Sequence, residues 1–438
     1  MQTNASVIDR TTLDNRLVSC SIGLTITAIA VLLVGTYTIW QPDRLGYGGN
    51  HYAGWLVNYA GGFVRRGLAG EMIHRFAGGR PAIAITNWIV FSIFAAFAFG
   101  LWALLAATTR RRSITALVLL APGSIFAMAG GNDYYYQKEV LFHLCLVLSG
   151  LLVLTIGVAA AGRTKTMLFC GLAGFNVLVF CAIPFTHEGF IFLSAPAHLL
   201  LLYFAGRHAG LDVRKLIITL AVLSIAIFLF LALFKGSAET AVAIWRSLDT
   251  VDRHLINPAS PEIPVGQISA IGMTLGRALR DALAIVITGY AWFWLAPMAV
   301  VVGCAVLVGR IGLAEHDLDP SALWWYLDLY LAVFLLSLPI YLLAVDWGRW
   351  ISSNFIEFVV VLLVCLRLEA AQGHRFAPAS SRGLSRRIFE HVQTLWPRYR
   401  IFAVLLAALT IKMPECCLQG YNGSLARMLY RLVTGQAG

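Results

Sequence analysis

In an otherwise apolar chain, five short stretches concentrate the side chains that do chemistry. They are Arg65 and Arg66 within Asn58-Tyr-Ala-Gly-Gly-Phe-Val-Arg-Arg-Gly-Leu68, and Asn132-Asp-Tyr-Tyr-Tyr-Gln-Lys-Glu139. His187-Glu188, the pair Arg277 and Arg280, and Asp346-Trp-Gly-Arg-Trp350 complete the set. A guanidinium fork matches phosphate oxygens two at a time, so Arg65 and Arg66 suit a phosphate on a substrate. An interfacial helix whose arginines meet lipid headgroups uses the same residues. Glu139 and His143 are one helical turn apart and can face one groove. With Lys138 they read as a proton-transfer or hydroxyl-binding group, or as an aromatic belt with a snorkelling lysine.

His187-Glu188 falls between two apolar runs with almost no loop, just after Pro184. A carboxylate at that depth is expensive unless a cation partners it, and the neighbouring arginines are the candidates. Burial raises a carboxyl pKa and a nearby arginine lowers it; a balance between them leaves a base usable near neutrality. That reasoning puts Glu188 ahead of Glu139 and Asp346 as proton acceptor, with His187 orienting substrate or capping the turn. A structural ion pair is the other use of the same carboxylates. A helix starting near Trp347 carries Arg349, Ser353 and Glu357 at every fourth position. Glu357 then lies about 12 Å below Arg349. An ionised group there costs roughly 2.5–3.5 kcal/mol, which marks either a protein-lined cavity or a structural pair. The substrate-binding candidates are thus Arg65, Arg66, Lys138, His187, Arg277, Arg280, Arg349 and Glu357.

The elements that must position these residues follow from composition. Of 438 residues, 59% are hydrophobic and 13% charged, with mean hydropathy +0.76. Soluble domains are about 45–50% apolar and about 25% charged, so water-soluble enzyme classes are excluded. The fold class is an all-α polytopic transmembrane bundle forming one membrane domain over 1–438. Apolar runs occupy roughly 18–40, 84–107, 114–130, 140–161, 167–186, 189–206, 215–234, 283–309, 322–345, 350–367 and 401–415, about eleven spans of the length a bilayer needs. The first reads as a retained span or uncleaved signal anchor. With the N-terminus cytoplasmic, short inner loops collect Arg110, Arg111, Arg112, Arg163, Lys165, Arg207, Arg214, Lys215 and Arg310, and a basic inner loop spans 368–400. Two large outer loops, 41–83 and 235–282, contain helix-like stretches, and all five polar clusters fall on that outer face.

The net charge of +11 fits cytoplasmic loops and anionic lipid or phosphate ligands. No basic tract interleaved with aromatics points to nucleic acid. The eight cysteines lack metal-ligand spacing, and no nucleotide loop, His-Glu-x-x-His or Gly-x-Ser-x-Gly is present. No metal or cofactor is expected.

A multi-span bundle with two large outer loops, arginines in those loops and no nucleotide site resembles bacterial glycan-assembly enzymes. These are the Wzy-type O-antigen or capsule polymerases and the wider GT-C class of lipid-linked sugar transferases. The Asn58–Leu68 segment, Gln-Lys-Glu139, His187-Glu188 and Asp346-Trp-Gly-Arg349 look similar to elements of membrane proteins of that kind. The resemblance implies a bacterial inner-membrane enzyme. It would move a glycan from an undecaprenyl-diphosphate carrier to an acceptor hydroxyl at the outer face, within a polysaccharide export pathway. Cations then stabilise the departing diphosphate, and one carboxylate or histidine takes the acceptor proton. Metal-dependent GT-C enzymes use acidic residues in the first outer loop; here Asp43 has no adjacent carboxylate, a departure from the metal-dependent pattern. A secondary transporter or flippase is the alternative, but it ordinarily places ionisable groups near the midplane on interrupted helices with repeat symmetry, and no repeat is visible.

Overall fold

The computed structural model describes residues 10–40, 49–131, 134–160, 162–288, 294–343 and 345–372, with 404, 406 and 407. Among these residues the chain is helical, without strands. In order, the helices are α1 (Arg10–Gly35, extended by a π-helical turn Thr36–Trp40), α2 (Gly49–Trp55), α3 (Gly67–Ala77), α4 (Ala82–Thr108), α5 (Arg112–Leu120) and α6 (Ile125–Gly131). After a 3-10 turn at Tyr134–Tyr136 come α7 (Glu139–Val158), α8 (Arg163–Thr186), α9 (Phe190–Leu193), α10 (Ala195–Ala209) and α11 (Arg214–Leu233). Four short helices follow, α12 (Ala238–Ser247), α13 (Thr250–Ile256), α14 (Gly266–Ser269) and α15 (Leu275–Ile287). The last are α16 (Leu295–Glu315), α17 (Ala322–Leu343) and α18 (Trp347–Gln372).

Nine segments among the described residues are long and apolar enough to cross a membrane. They match nine of the eleven runs read from the sequence, with one boundary moved. The run at 283–309 divides into α15 and a span that begins only at Leu295. Arg277, Arg280 and Asp281 interrupt the leucines of α15, so that helix is amphipathic instead of uniformly apolar. The run at 189–206 is broken at Ser194 into α9 and α10. Even so, Phe190 packs on Phe142, His198 bonds Ser149 and His208 bonds the Gly157 carbonyl, so this broken helix follows α7 along its full length. Most of the run at 401–415, Asp43, Asn132, Asp133 and most of the basic loop 368–400 lie outside the described residues.

α18 is the central helix, buried along nearly its whole length. Small residues let neighbours approach it, the usual device in membranes, where burial gives little drive between helices. A Cβ on Gly150 of α7 would lie 3.3 Å from Val360 and Val364. Pro122-Gly123, between α5 and α6, turns with Gly123 at φ +81, and a Cβ there would overlap Ser352. The bundle therefore holds the first turn of α18, and Arg349 with it, in a fixed place.

The segments 49–81 and 235–272 close over the same end of the bundle as one unit. Arg65 N–H donates to the Phe234 carbonyl at 2.8 Å, and Asn58 Nδ2 donates to Ser247 Oγ at 3.0 Å. The buried Asp252 carboxylate accepts from Ala82 N–H at 2.7 Å and Ile83 N–H at 3.1 Å. Pro81 precedes α4 and offers no side-chain cap, so Asp252 satisfies donors that would otherwise be left unpaired at that helix start.

Candidate functional site

Four short pieces of chain converge where α7, α8 and α18 meet the 49–81 segment. The first supplies Arg65 and Arg66. Arg66 adopts φ +67, the left-handed region that L side chains avoid. There its Nε donates to Glu188 Oε1 (2.9 Å) and Oε2 (2.8 Å), while Nη2 donates to Oε1 at 2.6 Å. Arg65 Nη1 reaches the same Oε1 at 3.4 Å. Backbone contact fixes this geometry: a Cβ on Gly70 would sit 1.9 Å from the Val57 carbonyl oxygen, so α3 lies flush against the preceding loop.

The second piece, Gln137-Lys138-Glu139, starts α7. Lys138 is buried, its Nζ donating to the carbonyls of Arg66 and Thr186 at 3.0 Å each and lying 5.8 Å over the Trp55 ring. It thereby ties the first loop to the end of α8. Burial, with Arg66 alongside, pushes the Lys138 amine down to about 7. Both oxygens of Glu139 are buried without a hydrogen-bond partner; Arg349 Nη1 is 3.5 Å from Oε1 and His187 Nε2 is 4.0 Å from it.

The third piece follows α8. His187 Nδ1 accepts from Gly189 N–H at 3.0 Å. That bond leaves the ring proton on Nε2, facing Glu139. Burial and the neighbouring Arg66 hold His187 well below its ordinary range, so it is neutral. For Glu188, burial pushes upward, but the charge and hydrogen bonds of Arg66 prevail and the carboxyl is lowered. This departs from the balance expected of Glu188 near neutrality. Two arginines reach it instead of one, and one of them binds both oxygens.

The fourth piece starts α18. Arg349 is bonded by Asp346, three residues earlier, and by Gln137. One turn deeper, Ser353 Oγ is 3.4 Å from His143 Nε2. Glu357, although on the same helix, lines a different space with Ala197 and Tyr330. Eight residues advance a helix by more than two full turns, enough to carry it off the Arg349 face.

The structure thus brings Arg65, Arg66, Lys138, Glu139, His187, Glu188, Asp346 and Arg349 together, from positions spread over 285 residues of chain. It leaves Arg277 and Arg280 exposed on α15, where Arg277 meets Asp281 at 3.9 Å, and it sets Glu357 apart. Sequence reasoning quoted Gln137 within its motif but gave it no role, and it missed Trp55. Gln137 had a signal, its place beside Lys138-Glu139; Trp55 had none, because its contact depends on how the first loop folds back. The cluster contains four basic groups and three carboxylates, and Lys138 is the basic group that burial brings toward neutrality. Arg66 engages Glu188 through two of its three nitrogens, and its side chain is 28% exposed. Arg65 is similarly exposed at 29%. The two guanidiniums therefore keep donors for an incoming anion.

A family model described as uncharacterised membrane protein Rv1490 matches residues 19–269. The match spans more than half of the chain, which belongs to that family of membrane proteins. The matched region contains Arg65, Arg66, Lys138, Glu139, His187 and Glu188, and ends before Asp346 and Arg349. Comparison with curated proteins and with solved structures gives no match.

Proposed function

Taking membership of that membrane-protein family as the premise, we propose that the clustered end is a glycosyl-transfer site. It moves a glycan from a polyprenyl-diphosphate carrier onto a sugar hydroxyl at the outer face of a bacterial inner membrane. The observation that carries this reading is the placement of two part-exposed guanidiniums, Arg65 and Arg66, on Glu188, in one cluster with a buried carboxylate, Glu139, that accepts no hydrogen bond and feels the charge of Arg66. The guanidiniums bind the diphosphate, and Arg349 adds positive charge next to Glu139. As the sugar C1–O bond to the diphosphate breaks, its electron pair leaves on the phosphate oxygen, where these cations oppose the growing charge. The acceptor hydroxyl bonds to C1 and gives its proton to Glu139. His187 and Arg349 steer that carboxylate. Glu188 holds Arg65 and Arg66 in position and stays ionised throughout, so the proton acceptor shifts from Glu188 to Glu139. The orientation rests on the basic short loops at the opposite end of the bundle.

Reconstitution with an undecaprenyl-diphosphate-linked oligosaccharide and a free oligosaccharide acceptor tests the reading. Extended product and released carrier diphosphate are expected from the wild type and neither from Glu139→Gln. Normal turnover by Glu139→Gln with loss in Glu188→Gln returns the base to Glu188, and no product from wild type under any acceptor counts against transfer. A flippase or secondary transporter is the second reading. The helix broken at Ser194 beside Glu357 favours it, since transporters use discontinuous helices at membrane depth.

A further inference from the structure

Glu357 takes no part in the clustered site, yet it is the most isolated carboxylate of the described chain. Its side chain is fully buried, both oxygens lack a hydrogen-bond partner, and it has no ion pair among the described residues. The polar group that acts on it is the Ser194 hydroxyl, also fully buried and also without a hydrogen bond of ordinary geometry. Ser194 stands at the break between α9 and α10. Two residues on, Pro196 has no N–H to return to the Phe192 carbonyl. The broken helix therefore leaves backbone acceptor capacity near Ser194.

The surroundings of Glu357 supply no positive charge. On α10, His198 turns to Asn176 and Ser149, with Asn176 Oδ1 at 2.7 Å from its Nδ1. On α7, His143 faces Ser353, and Glu139 faces Arg349 and His187. On α17, Tyr330 and Tyr341 stand near the carboxyl. Among the described residues of α4, α9 and α16, no charged group acts on it. A cavity of about 10 Å³ lined by Glu357, Ala197, Leu200, Tyr330, Val333 and Phe358 adjoins the carboxyl, room for roughly one water. An ionised carboxylate there would have no cation, and the Ser194 hydroxyl alone to offset its loss of hydration.

We propose that Glu357, with Ser194 at the α9–α10 break, forms a proton-binding site at membrane depth, separate from the clustered site and reachable from the lipid through the adjoining cavity. Its ligand is a proton, carried as the neutral carboxylic acid. The inference does not rest on glycosyl transfer.

A hydrophobic carbodiimide tests it, because the reagent needs a protonated carboxyl in an apolar place. The carboxyl proton passes to one carbodiimide nitrogen, and the carboxylate oxygen bonds to the central carbon. One C=N π pair moves to the nitrogen that gained the proton. The acyl group of the resulting O-acylisourea then shifts to nitrogen, so the stable N-acylurea contains all atoms of both partners. Full-length protein in nanodiscs is treated with dicyclohexylcarbodiimide between pH 6 and pH 10, and the modified peptide is mapped by mass spectrometry. The expected result is an adduct on Glu357 at pH 6 whose yield declines by about tenfold per pH unit once the group's midpoint is passed, unaffected by sodium ions. Absence of the adduct at pH 6, or a yield that rises with pH, overturns the proposal. Protection by sodium overturns it too, making the site one for a metal cation. Wild-type protein suffices, so a misfolding variant does not obscure the answer, and a failed transfer assay leaves it unchanged.

Discussion

Arg66 and Glu188 set the geometry of the clustered site, and both effects of breaking their pair are measurable. Removing one member of a fully buried pair costs about 3–5 kcal/mol, and the partial exposure of Arg66 puts Arg66→Ala at roughly 2–3 kcal/mol, read as a lower unfolding temperature. Arg66→Lys keeps the charge but loses the fork, so it should recover most of the stability and little of the activity. Equal activity in Arg66→Lys and wild type contradicts a fork-specific role. Glu188 is held below its unfolded value near 4.5, so its contribution is complete above that pH and is lost progressively as pH falls from there toward the lower folded value. Lys138 acts in the opposite window. Its folded value near 7 lies below the unfolded value near 10.5, so between these the unfolded chain binds more protons. Stability should therefore rise with pH across that interval, by up to about 1.4 kcal/mol per unit. Below pH 7 the burial penalty is present in full. The neutral amine still has two N–H groups for the two carbonyls it serves. Thermal unfolding against pH should show this slope in wild type and not in Lys138→Met; an identical slope in both assigns it to other groups.

Glycine contacts and a distant cap make the helices deliver these side chains. Gly70→Ala adds one carbon against the Val57 carbonyl, so α3 must move away from the loop and take Arg66 with it. Activity should fall by tenfold or more, about 1.4 kcal/mol, although no charged group has changed; undiminished activity contradicts the close approach. Asp252→Ala removes the cap on α4 and should cost roughly 1–2 kcal/mol, with faster proteolysis across 235–282 as that segment detaches. At this scale the sequence was informative where the pattern was simple. Runs of about 20 apolar residues marked the spans, and a basic or polar pair at a span's end marked each contribution to the cluster. Pairing was not legible. Nothing local links Arg66 to Glu188, 122 positions away, or Asp252 to the start of α4, because those contacts depend on loops folding back across the bundle. Arg277 and Arg280 show the converse. They have the right chemistry and lie in a loop of the right side, but α15 carries them to its exposed face. Glu357 misled through a true regularity: four residues are slightly more than one helical turn, so eight residues turn it toward α10 and α17.

Across the whole molecule, α18 and eight other described segments of membrane-crossing length form the frame, and the ion-paired arginines and carboxylates of the clustered site gather at one end of it. On the proposed function, this end binds a lipid diphosphate through Arg65 and Arg66. Native mass spectrometry of the full-length protein in nanodiscs doped with undecaprenyl diphosphate or undecaprenyl monophosphate measures this directly. Wild type should retain one diphosphate lipid at least about tenfold more tightly than the monophosphate, a difference near 1.4 kcal/mol. The preference should disappear in the double variant Arg65→Lys/Arg66→Lys while the protein stays folded. Equal retention of both lipids by wild type, or a preference that survives in the double variant, contradicts the account.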